Sequence, residues 1–323
     1  MARMTSMGTG KMRKTTIGVD VSKDHLDAHR WPEGDALRVT NDARGHRRLI
    51  RWIGPGAELV VFEPTSRYHR AFEAALAGAE LPFARLHPTR ARRFAEAAGL
   101  LAKTDRVDAG MLARMGALLE PAPEAPPSPV QAALAELERA RAGLQRDRLA
   151  ASNRAGQATH ALVRRQAQRA ARAAERAVAE IDAAIAAAIA ADPGLARKAA
   201  ILVSIPGISA VSAALLLAEM PEIGTLEAGE AASLAGLAPM TRESGRWRGK
   251  ARIRGGRAAL RKGLFMPALA AARCNPDLKA VHDRHRAAGK PAKLALTAVM
   301  RKLLLLANAL VRDNRTWTTG KPA

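Results

Sequence analysis

The chain carries one cysteine, Cys274, in 323 residues. That excludes a disulfide-stapled scaffold and any cysteine-rich zinc site. Aromatic residues make up only 3%, so stacking platforms that read single-stranded bases do not dominate the surface. The eight histidines show no metal-ligand spacing; His282 and His285 are close, but no third ligand stands near them. Neither a P-loop nor a G-x-G-x-x-G fingerprint occurs. Uninterrupted apolar runs are short as well. The stretch 199–220 holds Pro206 and Gly207, and 294–311 holds Arg301 and Lys302, so neither reads as a membrane span. The basic leader is followed by no apolar core of a signal peptide. The expectation is a cytoplasmic, nucleoid-associated protein with no membrane partner.

Acidic residues are scarce relative to basic ones: 30 Asp and Glu against 52 Lys and Arg, a net charge of +22. Such an excess points to a polyanionic partner, with nucleic acid first. A GC-rich coding bias also inflates arginine, so part of the charge need carry no function. The 48% of hydrophobic residues is enough for a proper core and excludes wholesale disorder.

Three textures follow one another. Period-two runs and turn residues predict strands over 16–21, 26–31 and 36–40, then a helix over 43–53 and a strand over 58–63. A helix over 68–78, a strand over 82–87 and two further helical stretches complete a mixed α/β region. A proline-rich linker, PAPEAPPSP, comes next. From 130 to 191 the composition is that of long helices, as a hairpin or a coiled coil, although strict heptads are poor. The span 138–176 holds ten Arg and three acids, which suits a solvated helix face or contact with phosphates. Pro193-Gly194 breaks the helix, and 195–315 reads as a compact α-helical domain.

Three constellations could carry chemistry. Asp20 sits in the middle of the first strand, where a charge is costly unless paired or metal-bound. Glu63 ends the fourth strand, and Asp105 and Asp108 share one face of a helix in KTDRVDAG. Taken singly, each acid is equally well a surface cap, a salt bridge or first-turn helix charge. Together, the element order is that of a ribonuclease-H-like fold, in which the first-strand and fourth-strand acids lie side by side. Four such carboxylates suit two Mg²⁺ ions about 4 Å apart for phosphoryl transfer. The second constellation, Ser204-Ile205-Pro206-Gly207-Ile208-Ser209, resembles a helix-hairpin-helix whose turn at Gly207 offers N–H groups to a phosphate, or else an ordinary core turn. The third starts at Arg242. From there to Lys262 lie nine Lys and Arg and one acid. Ser244-Gly245 places a small nucleophile on a loop among guanidinium groups, although Ser-Gly is also a common turn. Arg242, Arg246 and Arg248 are the first candidates for phosphate clamps. Lys250, Arg252, Arg254, Arg257 and Arg261 extend the same basic tract.

The chain resembles transposases of the insertion sequence 110 family, DEDD recombinases related to the pilin-gene invertase Piv, over about residues 16–314. The resemblance is carried by Ile17-Gly18-Val19-Asp20-Val21-Ser22-Lys23, by Phe62-Glu63-Pro64-Thr65 with Tyr68-His69, and by Lys103-Thr104-Asp105-Arg106-Val107-Asp108-Ala109. In the second half it rests on Ile205-Pro206-Gly207-Ile208, Leu234-Ala235-Gly236-Leu237-Ala238-Pro239, Ser244-Gly245, Gly256-Arg257-Ala258-Ala259-Leu260-Arg261 and Gly289-Lys290. The segment after Glu63 departs from the family pattern in reading Pro-Thr-Ser-Arg-Tyr. His87-Pro88 stands where Asn-Pro is common.

The resemblance implies a disordered basic leader over 1–15, a RuvC-like domain over 16–120 and a linker over 121–129. It further implies a coiled-coil or helical-hairpin insert over 130–192, an α-helical C-terminal transposase domain over 193–315 and a tail over 316–323. It makes Asp20, Glu63, Asp105 and Asp108 the Mg²⁺ tetrad and Ser244 the nucleophile, in a composite site shared between protomers. Its partners would be double-stranded DNA of the element ends and target, and a structured non-coding guide RNA. A homodimer or homotetramer would be the working assembly. A RuvC-like hydrolytic nuclease and a non-enzymatic nucleic-acid-binding protein are the two competing readings.

Overall fold

The computed structural model describes residues 15–64, 66–99 and 105–319, with the side chains of residues 105–107 outside it. The expected leader, apart from Thr15, and the last four residues of the expected tail therefore lie outside the described residues. The chain forms two compact units, Met1–Pro126 and Pro127–Ala323, and the divide falls within the proline-rich segment.

The first unit contains β1 (Thr16–Val21), β2 (His25–Trp31), β3 (Ala36–Thr40), α1 (Ala43–Ile53), β4 (Leu59–Phe62), α2 (Arg70–Gly78), β5 (Phe83–Arg85), α3 (Pro88–Ala97) and α4 (Asp105–Leu119). The strands form one sheet in the order β3-β2-β1-β4-β5. β2 runs antiparallel to β1 and β3, whereas β1, β4 and β5 run parallel. The first strand thus lies beside the fourth, as a ribonuclease-H-like order requires.

Alternation along β1 separates two cores. Ile17, Val19 and Val21 join Val60 and Phe62 in a cluster that also takes Leu49 and Ile53 of α1 and Phe72 and Leu76 of α2. On the opposite face Leu59 and Val61 pack with Met111, Leu112 and Met115 of α4. Thr16, Gly18 and Asp20 belong to this second face. Gly116 of α4 faces Thr16 and Val61, and a Cβ added at Gly18 would overlap the backbone of Ala109 and Ala113. The helix therefore runs antiparallel to β1 and close against it, held there by the absence of a side chain.

Gly18→Ala should lower the stability of this unit by about 3 kcal/mol, because the clash is with helix backbone that cannot rotate away. Urea denaturation of the full chain measures it.

The second unit begins with α5 (Pro129–Gln157) and α6 (Ala161–Ala191), followed by α7 (Pro193–Val203), α8 (Ala210–Glu219) and α9 (Ala228–Leu234). Four two-residue strands come next: β6 (Pro239–Met240), β7 (Glu243–Ser244), β8 (Trp247–Arg248) and β9 (Arg252–Ile253). The unit ends with α10 (Ala258–Gly263), α11 (Phe265–Cys274), α12 (Pro276–Ala287) and α13 (Ala292–Arg312).

Of the two arrangements expected for the long helices, a hairpin is the one seen. Its reversal, Ala158 to His160, contains neither Pro nor Gly; His160 caps the new helix by accepting from the N–H of Leu162. Arg141 and Asp182 form an ion pair across the hairpin. The helix breaks just before Pro193, as expected: α6 ends at Ala191, and Pro193 opens α7, with Asp192 accepting from the N–H of Leu195. α13 is long and apolar enough to span a bilayer by length and composition, yet ten of its residues are buried in the core of the unit. Buried Asn308 accepts from the N–H of Gly224 and donates to Leu226 O, tying the loop before α9 to α13.

The expectation of a wholly α-helical C-terminal region is corrected by the β-strands between α9 and α10. β7 and β8 pair across Gly245-Arg246, and β6 pairs with β9, so residues 239–253 form a two-stranded arm. Gly245, at φ +56, takes the first central position of the hairpin turn, as a type II′ turn demands.

Glu138 on α5 is 4% exposed, and its Oε1 has no hydrogen-bond partner. Burial pushes its carboxyl above the ordinary 4.5, with the nearby Arg141 opposing and Asp182 and Glu219 reinforcing the shift. A carboxyl raised in the folded state weakens the fold as pH climbs above its unfolded pKa. Glu138→Leu should therefore stabilise the chain at pH 7 by about 1 kcal/mol. Thermal melts should show the difference from wild type narrowing as pH falls below 4.5.

Candidate active site and basic arm

Asp20 is the half-buried polar residue in an otherwise buried strand. The parallel register pairs Gly18 with Val61 and Val19 with Phe62. One step further sets Asp20 beside Glu63, which directly follows β4. Glu63 continues the alternation of Leu59 and Val61, so both acids belong to the face covered by α4. On that face, Gly116 lies over Thr16 and the Ala109–Ala113 backbone over Gly18. Continuing the same direction brings the first turn of α4, Asp105 to Asp108, to the Asp20 end of β1. Asp108 is half-buried there, whereas the Asp105 side chain lies outside the described residues, as do Lys103 and Thr104. Among the described residues, no three His, Cys, Asp or Glu side chains gather as a metal site. The donor set is nevertheless all carboxylate, and such oxygens suit a hard divalent cation.

Asn41 is a supporting residue that sequence reasoning missed. Its Nδ2 donates to Ser22 O at 2.8 Å and Tyr68 O at 3.1 Å, and its Oδ1 meets His46 Nε2 at 2.8 Å. Ser22 follows Asp20 by two residues and Tyr68 follows Glu63 by five. One amide therefore clamps both loops that leave the acidic end of the sheet. His46 is buried, and burial lowers its pKa, with Asp42 opposing the shift. The nearby Asn-Asp pair looks in sequence like an ordinary helix start; Asp42 does cap α1, accepting from Gly45 N at 2.7 Å.

Ser244 ends β7, fully on the surface, and pairs with Trp247 across the turn. It sits in a hairpin rather than the flexible loop expected. Arg242, Arg246, Arg248, Lys250, Arg252 and Arg254 are all exposed on the same arm, with Glu243 the one acid among them. From Arg246 to Arg254 the cations fall on every second residue, with Trp247, Gly249, Ala251 and Ile253 between. That period of two is the signal that would have revealed extended chain.

The remaining predicted binding residues have contacts within the fold. Arg257 is held bidentate by Glu222, at 2.6 and 2.8 Å, and also donates to Glu219 O at 2.7 Å. Arg261 donates to Gly255 O at 2.6 Å and so closes the root of the arm. Gly207 has φ +109, and a Cβ there would lie 2.6 Å from the Ala271 Cβ of α11. It is a close-packing turn between α7 and α8.

Comparison with known proteins adds the family. The model described as "Transposase IS116/IS110/IS902 family" matches residues 199–283, and a DEDD transposase model of the IS110 type matches residues 17–164. The chain belongs to the IS110 family of transposases. Pilin gene-inverting proteins of Moraxella bovis and Moraxella lacunata are each 28% identical over 318 residues, 94% of this chain and 98% of theirs. An insertion element IS110 protein of 43.6 kDa from Streptomyces coelicolor is 35% identical over 126 residues, 38% of this chain and 31% of that one. A solved RuvC of T. thermophilus with Holliday junction substrate shares 13% identity and a TM-score of 0.26, over 34% of this chain and 98% of that chain. The transposase is a DNA recombinase, and its DEDD type carries divalent-metal dependence.

Arg257→Ala should destabilise the transposase by about 1 kcal/mol while leaving its DNA salt dependence unchanged. Arg248→Ala should do the reverse, making the log–log salt slope shallower by about 0.9 for each phosphate that the guanidinium neutralises. Thermal melts and a salt titration of duplex binding separate the two.

Proposed function

We propose that this transposase cuts and rejoins DNA strands for insertion-sequence mobility through a serine-linked intermediate, with Asp20, Glu63, Asp105 and Asp108 as its metal-binding tetrad. The observation that carries the reading is Ser244, exposed beside a hairpin turn on an arm of six exposed cations, in a chain of this family. The placement of Asp20 and Glu63 on one sheet face beneath the first turn of α4 supports the tetrad. The parallel β1-β4 pair likewise supports a RuvC-like reading of the first unit.

Arg242, Arg246 and Arg248 hold the phosphoryl oxygens of the scissile group and orient it toward Ser244. Ser244 Oγ forms a bond to phosphorus as the bond to the leaving sugar oxygen breaks; the hydroxyl proton departs and the leaving oxygen gains one. The phosphoserine link keeps the phosphodiester energy for rejoining. Asp20, Glu63, Asp105 and Asp108 would hold Mg²⁺, which would supply Lewis-acid stabilisation of phosphoryl charge. Lys250, Arg252 and Arg254 track the DNA backbone beyond the reacting phosphate. A non-coding RNA that pairs with donor and target DNA delivers sequence choice, and a dimer or tetramer of the chain is the working assembly.

With Mg²⁺, element DNA and the adjacent transcribed RNA, a denaturing gel should show a protein–DNA adduct. Ser244→Ala should lose the adduct and strand exchange while retaining DNA binding, and Asp20→Asn should lose metal-dependent activity with the fold intact. Cleavage without an adduct would replace this reading with a hydrolytic nuclease. Recombination by Ser244→Ala would remove the serine from the chemistry.

A further inference from the structure

Beside the root of the arm lies a groove of about 810 Å³, bounded by the arm, α12 and α13. Its apolar lining comes from Leu237, Ile253, Val281, Leu294 and Leu305. Its charged lining is of one sign: Arg252, Arg284, Lys293, Arg301 and Lys302, with His285 and no carboxylate. The Arg301 Nε is buried and has no hydrogen-bond partner, so the fold leaves a guanidinium donor there unused. Such a site calls for an anionic ligand that also has apolar surface to bury.

A duplex fits this description poorly. It presents phosphates outward and keeps its base faces stacked inside, so an apolar floor would gain nothing from it. An unpaired strand exposes base faces and sugars together with its phosphates. We propose that this groove is a single-strand site, taking unpaired nucleotides with bases and sugars over Leu237, Val281, Leu294 and Leu305 and phosphates on Lys293, Arg301 and Lys302. No aromatic side chain lines it. Recognition therefore rests on aliphatic contact and guanidinium planes, which tolerate any base. The groove and Ser244 share one arm. An unpaired strand held in the groove is thus anchored within the same element that carries the nucleophile.

The inference deepens the nucleic-acid reading of the arm but does not need the serine chemistry. The test uses the full chain without divalent metal, so that no cleavage contributes. Fluorescence anisotropy compares labelled oligo(dT), oligo(rU) and a duplex of matched length. Leu294 is 46% exposed and Lys302 is exposed, so both positions tolerate substitution, and melting temperatures verify the fold. Leu294→Glu should weaken single-strand binding about tenfold and leave duplex binding within about twofold. Lys302→Ala should reduce the single-strand salt slope by about 0.7. The stronger of oligo(dT) and oligo(rU) names the strand as DNA or RNA. Unchanged single-strand affinity in Leu294→Glu, or an equal loss on duplex, would overturn the proposal. Loss of the covalent adduct alone would leave it standing.

Discussion

The first unit depends on a missing side chain. Gly18 lets the backbone of α4 rest directly on β1, with Ala109 and Ala113 where a Cβ would otherwise stand. That contact sets the height and direction of α4 at once. Its consequence is positional: the backbone of the first turn of the helix comes to the end of β1 that carries Asp20. A larger residue at position 18 would lift the helix from both strands. The Asn41 amide completes the arrangement from the other side by holding the loops after β1 and β4. Packing and chemistry are thus supplied by different residues, and neither set explains the site alone.

The second unit handles its positive charge by location. Arg141, Arg257 and Arg261 are drawn into ion pairs or carbonyl contacts that hold the hairpin, the core and the root of the arm. The six cations from Arg242 to Arg254 stay exposed. Extended chain keeps them apart, and Glu243, opposite Arg248 in the β7–β8 pair, is the one carboxylate on the arm, so the arm keeps a net attraction for a polyanion. Lining residues of α12 and α13 add further cations beside an apolar floor. The charge that composition reports as a single excess therefore splits into a structural part and an exposed part.

Much of this is legible in the sequence. The strands of the first sheet stand where β-branched alternation puts them, and Asp20 in mid-strand is conspicuous because a charge there is costly. The hairpin reversal at Ala158 to His160 is not legible, since it contains no Pro or Gly and rests on a histidine cap. The β-arm reads as a loop because basic residues and glycines mask the alternation of Arg246 to Arg254. The contacts of Arg257 and Gly207 are hidden for a related reason: residue type alone does not show that a guanidinium is held by Glu222 or that a turn is packed against α11.

Local order along the chain determined the helices, the strands, the faces of β1 and the family motifs, because periodicity and capping act between near neighbours. Only the tertiary structure decided which arginines are occupied and where a cationic groove opens. Those outcomes depend on residues far apart in the chain meeting one another, such as Gly18 with Ala113, Asn41 with Tyr68 and Arg257 with Glu222. Sequence spacing does not encode such distances until the chain has packed.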